Sequence, residues 1–296
     1  MKLKFSMGSG VLLLLLLQLY CTSTLFAQAP VFNVLKDSAN TPRVFRQLTA
    51  ILGAFPPELF LLQSKIQQKK DTVIQHIHFT QGILNGRQVV LAQTGIGKVN
   101  AAIATTLLLE HFQPRELVFT GIAGGVNPLL SPGDLVVATQ TAYHDYGTVT
   151  PDSMKRRSTR NPYTMQENPE FFLCDSGLVK AALSAGAATS FEKIESRNGS
   201  RMPRIIPGII VTGDVFVAST AVTQNLRKAL NADATEMEGA AVAQACWQQH
   251  TPFIIIRSLS DDAGNNASAD VRSFYEIAAR NSASLVIALM AKMSAF

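Results

Sequence analysis

The sequence predicts an α/β layered fold with a mixed sheet. Two observations carry that reading. From about Gln47 onward, short apolar or β-leaning runs alternate with helix-forming stretches up to the C-terminus. Two acidic clusters, Glu236-Met237-Glu238-Gly239 and Ser260-Asp261-Asp262, stand at the downstream ends of such runs. Ligands collect at the carboxyl ends of strands in open sheets, so carboxylates placed there are poised for chemistry and the chain reads as an enzyme. With 296 residues, 47% hydrophobic and 16% charged, the chain holds ample apolar material for one large core, and a single domain over 46–296 is expected.

The elements follow in order. Lys2 and Lys4, the unbroken apolar run Val11 to Leu17 and the small, polar stretch Thr22 to Ala29 have the layout of a secretory signal peptide, 1–27, cut after Ala27. That apolar run is well short of the roughly 20 residues a spanning helix needs. An N-terminal extension, 28–45, precedes the domain. Leu48 to Leu52 reads as a strand, and Pro56-Pro57-Glu58 opens a helix through Ile66, because Pro is tolerated in a first turn. Val73 to Phe79 and Val89 to Ala92 read as strands joined through Asn85-Gly86, a strong hairpin signal. Thr94 to Lys98 turns into a helix, Val99 to His111; Leu117 to Thr120 and Leu135 to Ala138 are strands separated by a Gly121 to Gly125 turn. Ile209 to Thr212 and Phe253 to Ser258 are further strands, and a long helix closes the chain from about Val271 to Met293. Thr148 to Asn168, rich in Pro, Ser, Thr, Arg and Asn, is the least regular stretch.

Composition excludes several classes. The formal charge of +5 falls to +3 once Lys2 and Lys4 leave, and no aromatic-interleaved basic stripe suggests nucleic acid as a partner. Cys174 and Cys246, far apart in sequence, form no disulfide framework, and no Cys/His spacing suggests zinc. His76 and His78 are expected on one face of a strand in a structural role. Gly95-Ile96-Gly97-Lys98 lacks the long spacing and following Ser or Thr of a phosphate loop, so it reads as a tight turn. The small residues of Gly121-Ile122-Ala123-Gly124-Gly125 would let a flat ligand approach the backbone.

Six motifs in order carry a family resemblance: Gly53-Ala54-Phe55-Pro56-Pro57-Glu58, Gly95-Ile96-Gly97-Lys98-Val99, Thr120-Gly121-Ile122-Ala123-Gly124-Gly125, Gly213-Asp214-Val215-Phe216, Glu236-Met237-Glu238 and Arg257-Ser258-Leu259-Ser260-Asp261. From residue 47 to the C-terminus the chain resembles the 5′-methylthioadenosine/S-adenosylhomocysteine nucleosidases of the nucleoside phosphorylase superfamily. The resemblance implies a three-layer α/β/α sandwich around a mixed central sheet, no metal or other cofactor, and a homodimer whose partner closes the 5′ pocket. Tyr143-His144-Asp145 is a candidate for that contact.

Cleaving a ribosyl bond to a purine passes through an oxocarbenium-like sugar. The site must neutralise the departing base, steady the ribose hydroxyls and present a nucleophile, the two-carboxylate logic of glycoside hydrolysis. By resemblance, Asp261 is the general acid toward N7 of adenine, held by Ser260; Glu58 binds and activates water; Glu238 accepts hydrogen bonds from the 2′ and 3′ hydroxyls. Phe216 stacks on the adenine, the Val217 backbone reads its edge, Met237 packs under the ribose, and Ile122, Ala123 and Gly124 border the nucleoside. The apolar run Phe253 to Ile256 would raise the pKa of the Asp261 acid by desolvation. Arg257 is expected to pair with a nearby carboxylate and Glu236 to orient its loop.

The superfamily's phosphorylases bind phosphate with arginines after the first strand and before the Gly-rich turn. Here those neighbourhoods hold Phe55-Pro56-Pro57-Glu58 and Phe119-Thr120, and a carboxylate repels phosphate, so hydrolysis is expected over phosphorolysis. The basic stretch Lys155 to Arg160 falls where the family has a loop near the 5′ pocket, and an anionic 5′ substituent is one reading of it. The leader implies a periplasmic or secreted protein. The alternatives are an exported phosphorylase, a nucleosidase of other specificity and a non-catalytic protein like the plant bark and vegetative storage proteins.

Overall fold

The computed structural model describes residues 46–151, 154–196 and 199–294; the expected leader and extension lie outside the described residues. β1 (Arg46–Gly53) leads into α1 (Pro56–Lys65). A meander of β2 (Gln67–Ile74), β3 (Ile77–Leu84) and β4 (Arg87–Gln93) follows, then α2 (Lys98–Phe112) and β5 (Pro114–Gly125). Next come β6 (Leu135–Tyr143), the short strands β7 (Gly147–Val149), β8 (Met154–Arg156) and β9 (Phe172–Leu173), and α3 (Ser176–Ala187). The hairpin β10 (Ile194–Ser196) and β11 (Gly199–Arg201) precedes β12 (Ile205–Thr212), α4 (Thr220–Leu230) and β13 (Ala234–Glu236). The last elements are α5 (Gly239–Gln248), β14 (Phe253–Asp261) and α6 (Ala267–Ser294).

Ten strands form one mixed sheet in the order β13-β12-β6-β14-β5-β1-β4-β3-β2, with β9 on β6. β4, β1, β5 and β14 run parallel, and β6, β12 and β13 form a second parallel block joined antiparallel to β14. β13 also pairs antiparallel with β5, through Ala234↔Gly125 and Thr235↔Gly124. That pairing closes β5, β14, β6, β12 and β13 into a ring, so the acids at the end of β13 reach the ends of β5 and β14.

Strand alternation sends successive side chains to opposite layers. Leu52, Phe119 and Ile255 pack with Leu108 of α2 and Val242 of α5, whereas Ile51, Val118 and Ile254 pack with Leu62 of α1, Ala182 of α3 and Leu289 of α6. This is the expected three-layer sandwich. A smaller cluster, including Val211, Val217, Leu226 and Ala263, seats α4 against the ring. Each fully buried Leu or Ile contributes about 1.5–3 kcal/mol, so these two faces rather than helix propensity hold the layers. No helix of the described residues is long and apolar enough to cross a membrane.

Three local expectations are corrected. Val73 to Phe79 is not one strand: Gln75 and His76, at φ 47° and 64°, turn β2 back onto β3. A two-residue hairpin with a type I′ turn needs positive φ at both central positions, and neither residue is the Gly or Asn that advertises it. His76 therefore lies in the turn, while His78 on β3 pairs with Asp71 at 3.3 Å. Gly121 to Gly125 is no turn but the second half of β5. Thr148 to Asn168 contains the β7–β8 hairpin and an Arg160↔Glu167 bridge. The Asn85-Gly86 hairpin stands as expected, with φ 49° and 82°.

Candidate active site

Glu58 owes its place to the start of α1. Pro56 and Pro57 occupy the first helical positions, where a missing N–H costs nothing, and Glu58 follows as the only acid of that turn. Its side chain folds back over the helix start instead of facing water. Oε2 accepts from the N–H groups of Ala54 at 2.5 Å and Phe55 at 3.4 Å, and Oε1 accepts from Ile122 N–H at 2.9 Å. Gly121 makes room for it: a Cβ there would stand 2.2 Å from Glu58 Oε1 and 2.0 Å from Arg257 Nη1.

The second carboxylate group forms where β13 runs into α5. Glu236 caps that helix, its Oε2 accepting from Glu238 N–H at 3.0 Å and its Oε1 from Gly239 N–H at 2.9 Å. It also takes the Thr212 hydroxyl and Arg257 Nη2, the latter at 2.5 Å. Glu238 is held by Gly97 N–H, at the start of α2, at 2.8 Å, and lies 3.5 Å from Arg257 Nη2. Arg257, on β14, is 0% exposed, donates to Thr120 C=O at 2.9 Å and lies 4.1 Å from the centre of the Phe119 ring. One guanidinium thus serves three carboxylates, with Glu58 at 3.9 Å the farthest.

That imbalance sets the protonation of the site. Burial pulls the Arg257 guanidinium down, but Glu236, Glu58 and Glu238 outweigh it and push it above its ordinary range, so it stays charged. Burial pushes the Glu58 carboxyl up, against the pull of Arg257 and its N–H donors. Burial and the neighbouring Glu236 charge push Glu238 up to about 8.

Asp261 ends β14 and is 1% exposed. Its Oδ2 accepts the Ser260 hydroxyl at 2.7 Å and its Oδ1 accepts Ala263 N–H at 2.8 Å, the latter from a left-handed residue at φ 51°. Gly124 lets this acid lie against β5, since a Cβ there would be 3.0 Å from Asp261 Oδ1.

These residues surround one cavity of 220 Å³. Glu58, Glu238, Asp261, Ser260 and Met237 line it with Ile122, Ala123, Gly124 and Phe216, so nearly all the sequence-derived site converges. Phe216 and Ile96 form its rim, each about half exposed. Val217 does not line it; its side chain packs in the cluster beneath α4. Sequence reasoning missed Thr235, Ala54 and Ile96 in the wall, and the grip of Gly97 on Glu238. Among the described residues, none that lines the cavity is Lys, Arg or His, and Arg257 is turned inward onto Glu236. In the basic stretch 155–160, Arg156 pairs with Glu170 at 3.8 Å and Arg160 with Glu167 at 3.0 Å, and neither lines the cavity.

The arrangement offers carboxyl groups to a small, half-apolar guest and no cation for an anionic one. Comparison with known proteins agrees. A family model described as the phosphorylase superfamily matches residues 49–291. A 5′-methylthioadenosine/S-adenosylhomocysteine nucleosidase of Psychromonas ingrahamii is 38% identical over 240 residues, covering 80% of this chain and 95% of that protein. The crystal structure of the nucleosidase from Neisseria meningitidis, in complex with methylthio-immucillin-A, superposes with a TM-score of 0.70 at 35% identity, covering 83% of this chain and 99% of the other. That of Colwellia psychrerythraea, in complex with adenine, gives 0.71 at 36% identity, covering 84% and 96%. With its fold, its ring of acids and these relatives agreeing over the whole described domain, the chain belongs to the phosphorylase superfamily and, within it, to the 5′-methylthioadenosine/S-adenosylhomocysteine nucleosidases.

Proposed function

We propose that the protein hydrolyses the N-ribosidic bond of 5′-methylthioadenosine and S-adenosylhomocysteine, releasing adenine. The observation that carries this reading is the cavity's polarity: four acids, Glu58, Glu236, Glu238 and Asp261, line it, and among the described residues no cation does. Phosphate would meet these carboxyl groups and, among the described residues, no lining counter-charge, whereas water meets a base. Asp261 gives its proton to N7 as the C1′–N9 bond breaks and the electron pair leaves with the base. Water adds to C1′, and Glu58 takes its proton. A base must be free to accept a proton near neutral pH, and a carboxyl pushed up by burial is the stronger base for it. Glu238 accepts the ribose hydroxyls, whose bonds tighten as charge grows on the sugar. Phe216 stacks on the purine and Met237 lies under the ribose.

Methylthioadenosine, S-adenosylhomocysteine, adenosine and inosine, each incubated with the purified protein with and without phosphate, test this reading. Adenine released from the first two at a rate indifferent to phosphate is the expected result; a phosphate requirement, or no free base from any of them, overturns it.

The protein works as a homodimer: Val99 and Ile103 of α2 stand exposed beside a groove of 310 Å³ between α2 and α5, and a second copy covering it would close the open side near Ile96. It acts outside the cytoplasm, on the charge and apolar pattern of residues 1–27. Sedimentation of the purified protein and fractionation of cells expressing the full chain test these two points.

A further inference from the structure

Lys98 does not line the cavity, yet it is the centre of a closed set of contacts beside the site. Its Nζ lies 2.6 and 2.7 Å from the two carboxylate oxygens of Asp145, just beyond β6. Its own N–H donates to Asp214 Oδ1 at 2.7 Å, and Asp214 N–H donates back to Asp145 Oδ2 at 2.7 Å. The side chains of Lys98 and Asp145 are only 21% and 19% exposed, and the ammonium lies 5.5 Å from the centre of the Tyr143 ring. A two-oxygen ion pair so sheltered is not the loose surface pair that contributes little.

The partners of this set matter by what adjoins them. Gly97, one residue before Lys98, donates the N–H that holds Glu238, and Ile96 beside it forms the cavity rim. Phe216, two residues after Asp214, is the other half-exposed lining residue, on a loop outside any helix or strand. Gly213 brings that loop onto the end of β6, since a Cβ there would stand 2.3 Å from the His144 ring and 2.9 Å from the Asp145 carboxyl carbon. The start of α2, the end of β6 and the loop after β12 are thereby tied at one point.

We infer that Lys98, Asp145 and Asp214 form a clasp that holds the two rims of the nucleoside cavity, Ile96-Gly97 and Phe216, at their working separation. All three are positioning residues: none donates or accepts a proton in the reaction, and their effect passes through Glu238 and Phe216. The inference rests on the nucleosidase reading of the cavity. It assigns the clasp to holding the nucleoside, not to breaking its bond, because Asp261 and Glu58 are fixed by other contacts, Ser260, Ala263, Ala54 and Ile122.

The test compares wild type with K98M, D145N, D214A and K98R. KM for methylthioadenosine and the adenine dissociation constant should rise about tenfold or more in K98M and D145N, with kcat within about threefold of wild type. D214A, at a half-exposed position, should show a smaller rise of the same kind, and K98R should recover most of the loss. K98M/D145N should be no worse than the worse single variant, as members of one contact set are not additive. Unchanged KM and adenine affinity in folded K98M and D145N, or a fall confined to kcat, would overturn the clasp. If K98M and D145N do not fold, D214A decides on the same criterion. Amide exchange separates this outcome from failure of the activity itself. Wild type that releases no adenine sinks the nucleosidase reading, whereas unchanged exchange over 95–98 and 213–218 in the clasp variants sinks the clasp.

Discussion

Arg257 and Asp261 lie on the same strand and do opposite work. Arg257 is a buried cation whose removal would leave Glu236 without its 2.5 Å partner, an uncompensated buried charge of the kind that costs roughly 3–5 kcal/mol. Asp261 is the proposed proton donor, and its loss should leave the fold standing. D261N is therefore expected to lower kcat by roughly 10²–10⁴-fold, the usual worth of a general acid, with adenine binding retained. Turnover and calorimetry on the same preparation check it, and a variant with near wild-type kcat would remove Asp261 from the mechanism. Glu236 offers a second residue-level test. Its charge is one reason the Glu238 carboxyl is pushed up to about 8, so E236Q should move that titration downward, both by deleting the negative neighbour and by freeing Arg257. Carboxyl carbon chemical shifts against pH read this directly; an unchanged or higher midpoint contradicts it. The acids Glu58, Glu238 and Asp261 were legible in the sequence because each sits in a recognisable motif. The roles of Glu236 and Arg257 were legible only as a generic loop acid and a paired base. Their 2.5 Å contact joins residues 21 apart in the chain through the closure of β13 onto β5, which no local pattern announces.

At the scale of elements, the tail of β5 decides how the site assembles. Sequence reasoning took Gly121 to Gly125 for a turn because glycines usually punctuate chains. Their purpose here is proximity: at Gly121 the missing side chain is replaced by Glu58 and Arg257. G121A should thus displace the Glu58 carboxyl, the proposed base, and a buried cation together, lowering both kcat and thermal stability. G125A, whose added carbon meets nothing nearer than Leu259 Cδ1 at 3.1 Å, should be markedly milder. Equal effects of the two, measured by turnover and melting temperature, would show that the glycines serve flexibility and not space. The same reasoning explains what else of the fold could be read. Apolar runs such as Phe253 to Ser258 mark buried strands, but pairing with the neighbouring strand carries a strand past such a run: β6 extends to Tyr143 against β12, which starts at Ile205. The Gln75-His76 turn was illegible because its left-handed residues carry none of the usual turn chemistry.

For the whole molecule, gathering acids around one guanidinium makes stability depend on pH with a definite sign. Glu238 titrates at about 8 in the folded protein against 4.5 for the free group. Between those values the folded chain holds a proton that the unfolded chain has released. Stability contributed by this carboxyl is complete below 4.5 and is lost as pH rises through about 8, a change on the order of a few kcal/mol. Glu58, also pushed up by burial, acts in the same direction. His144 acts against them at lower pH: burial pulls its pKa below 6.5, so the unfolded chain binds the extra proton and stability grows with pH until 6.5 is passed. Asp134 is buried, which pushes its carboxyl up, but the Arg204 N–H, Arg201 and Ser131 outweigh this and hold it below 3.8, outside the range. The informative window therefore runs from pH 6.5 to about 9, where the histidine contribution is already spent. Across it the ligand-free protein should lose melting temperature steadily, and E238Q, which cannot titrate at that position, should lose distinctly less. A wild-type melting temperature that is flat or rising over this window, or an E238Q slope equal to wild type, would mean that the protons of the site are not held where the arrangement of Arg257, Glu236 and Glu238 places them.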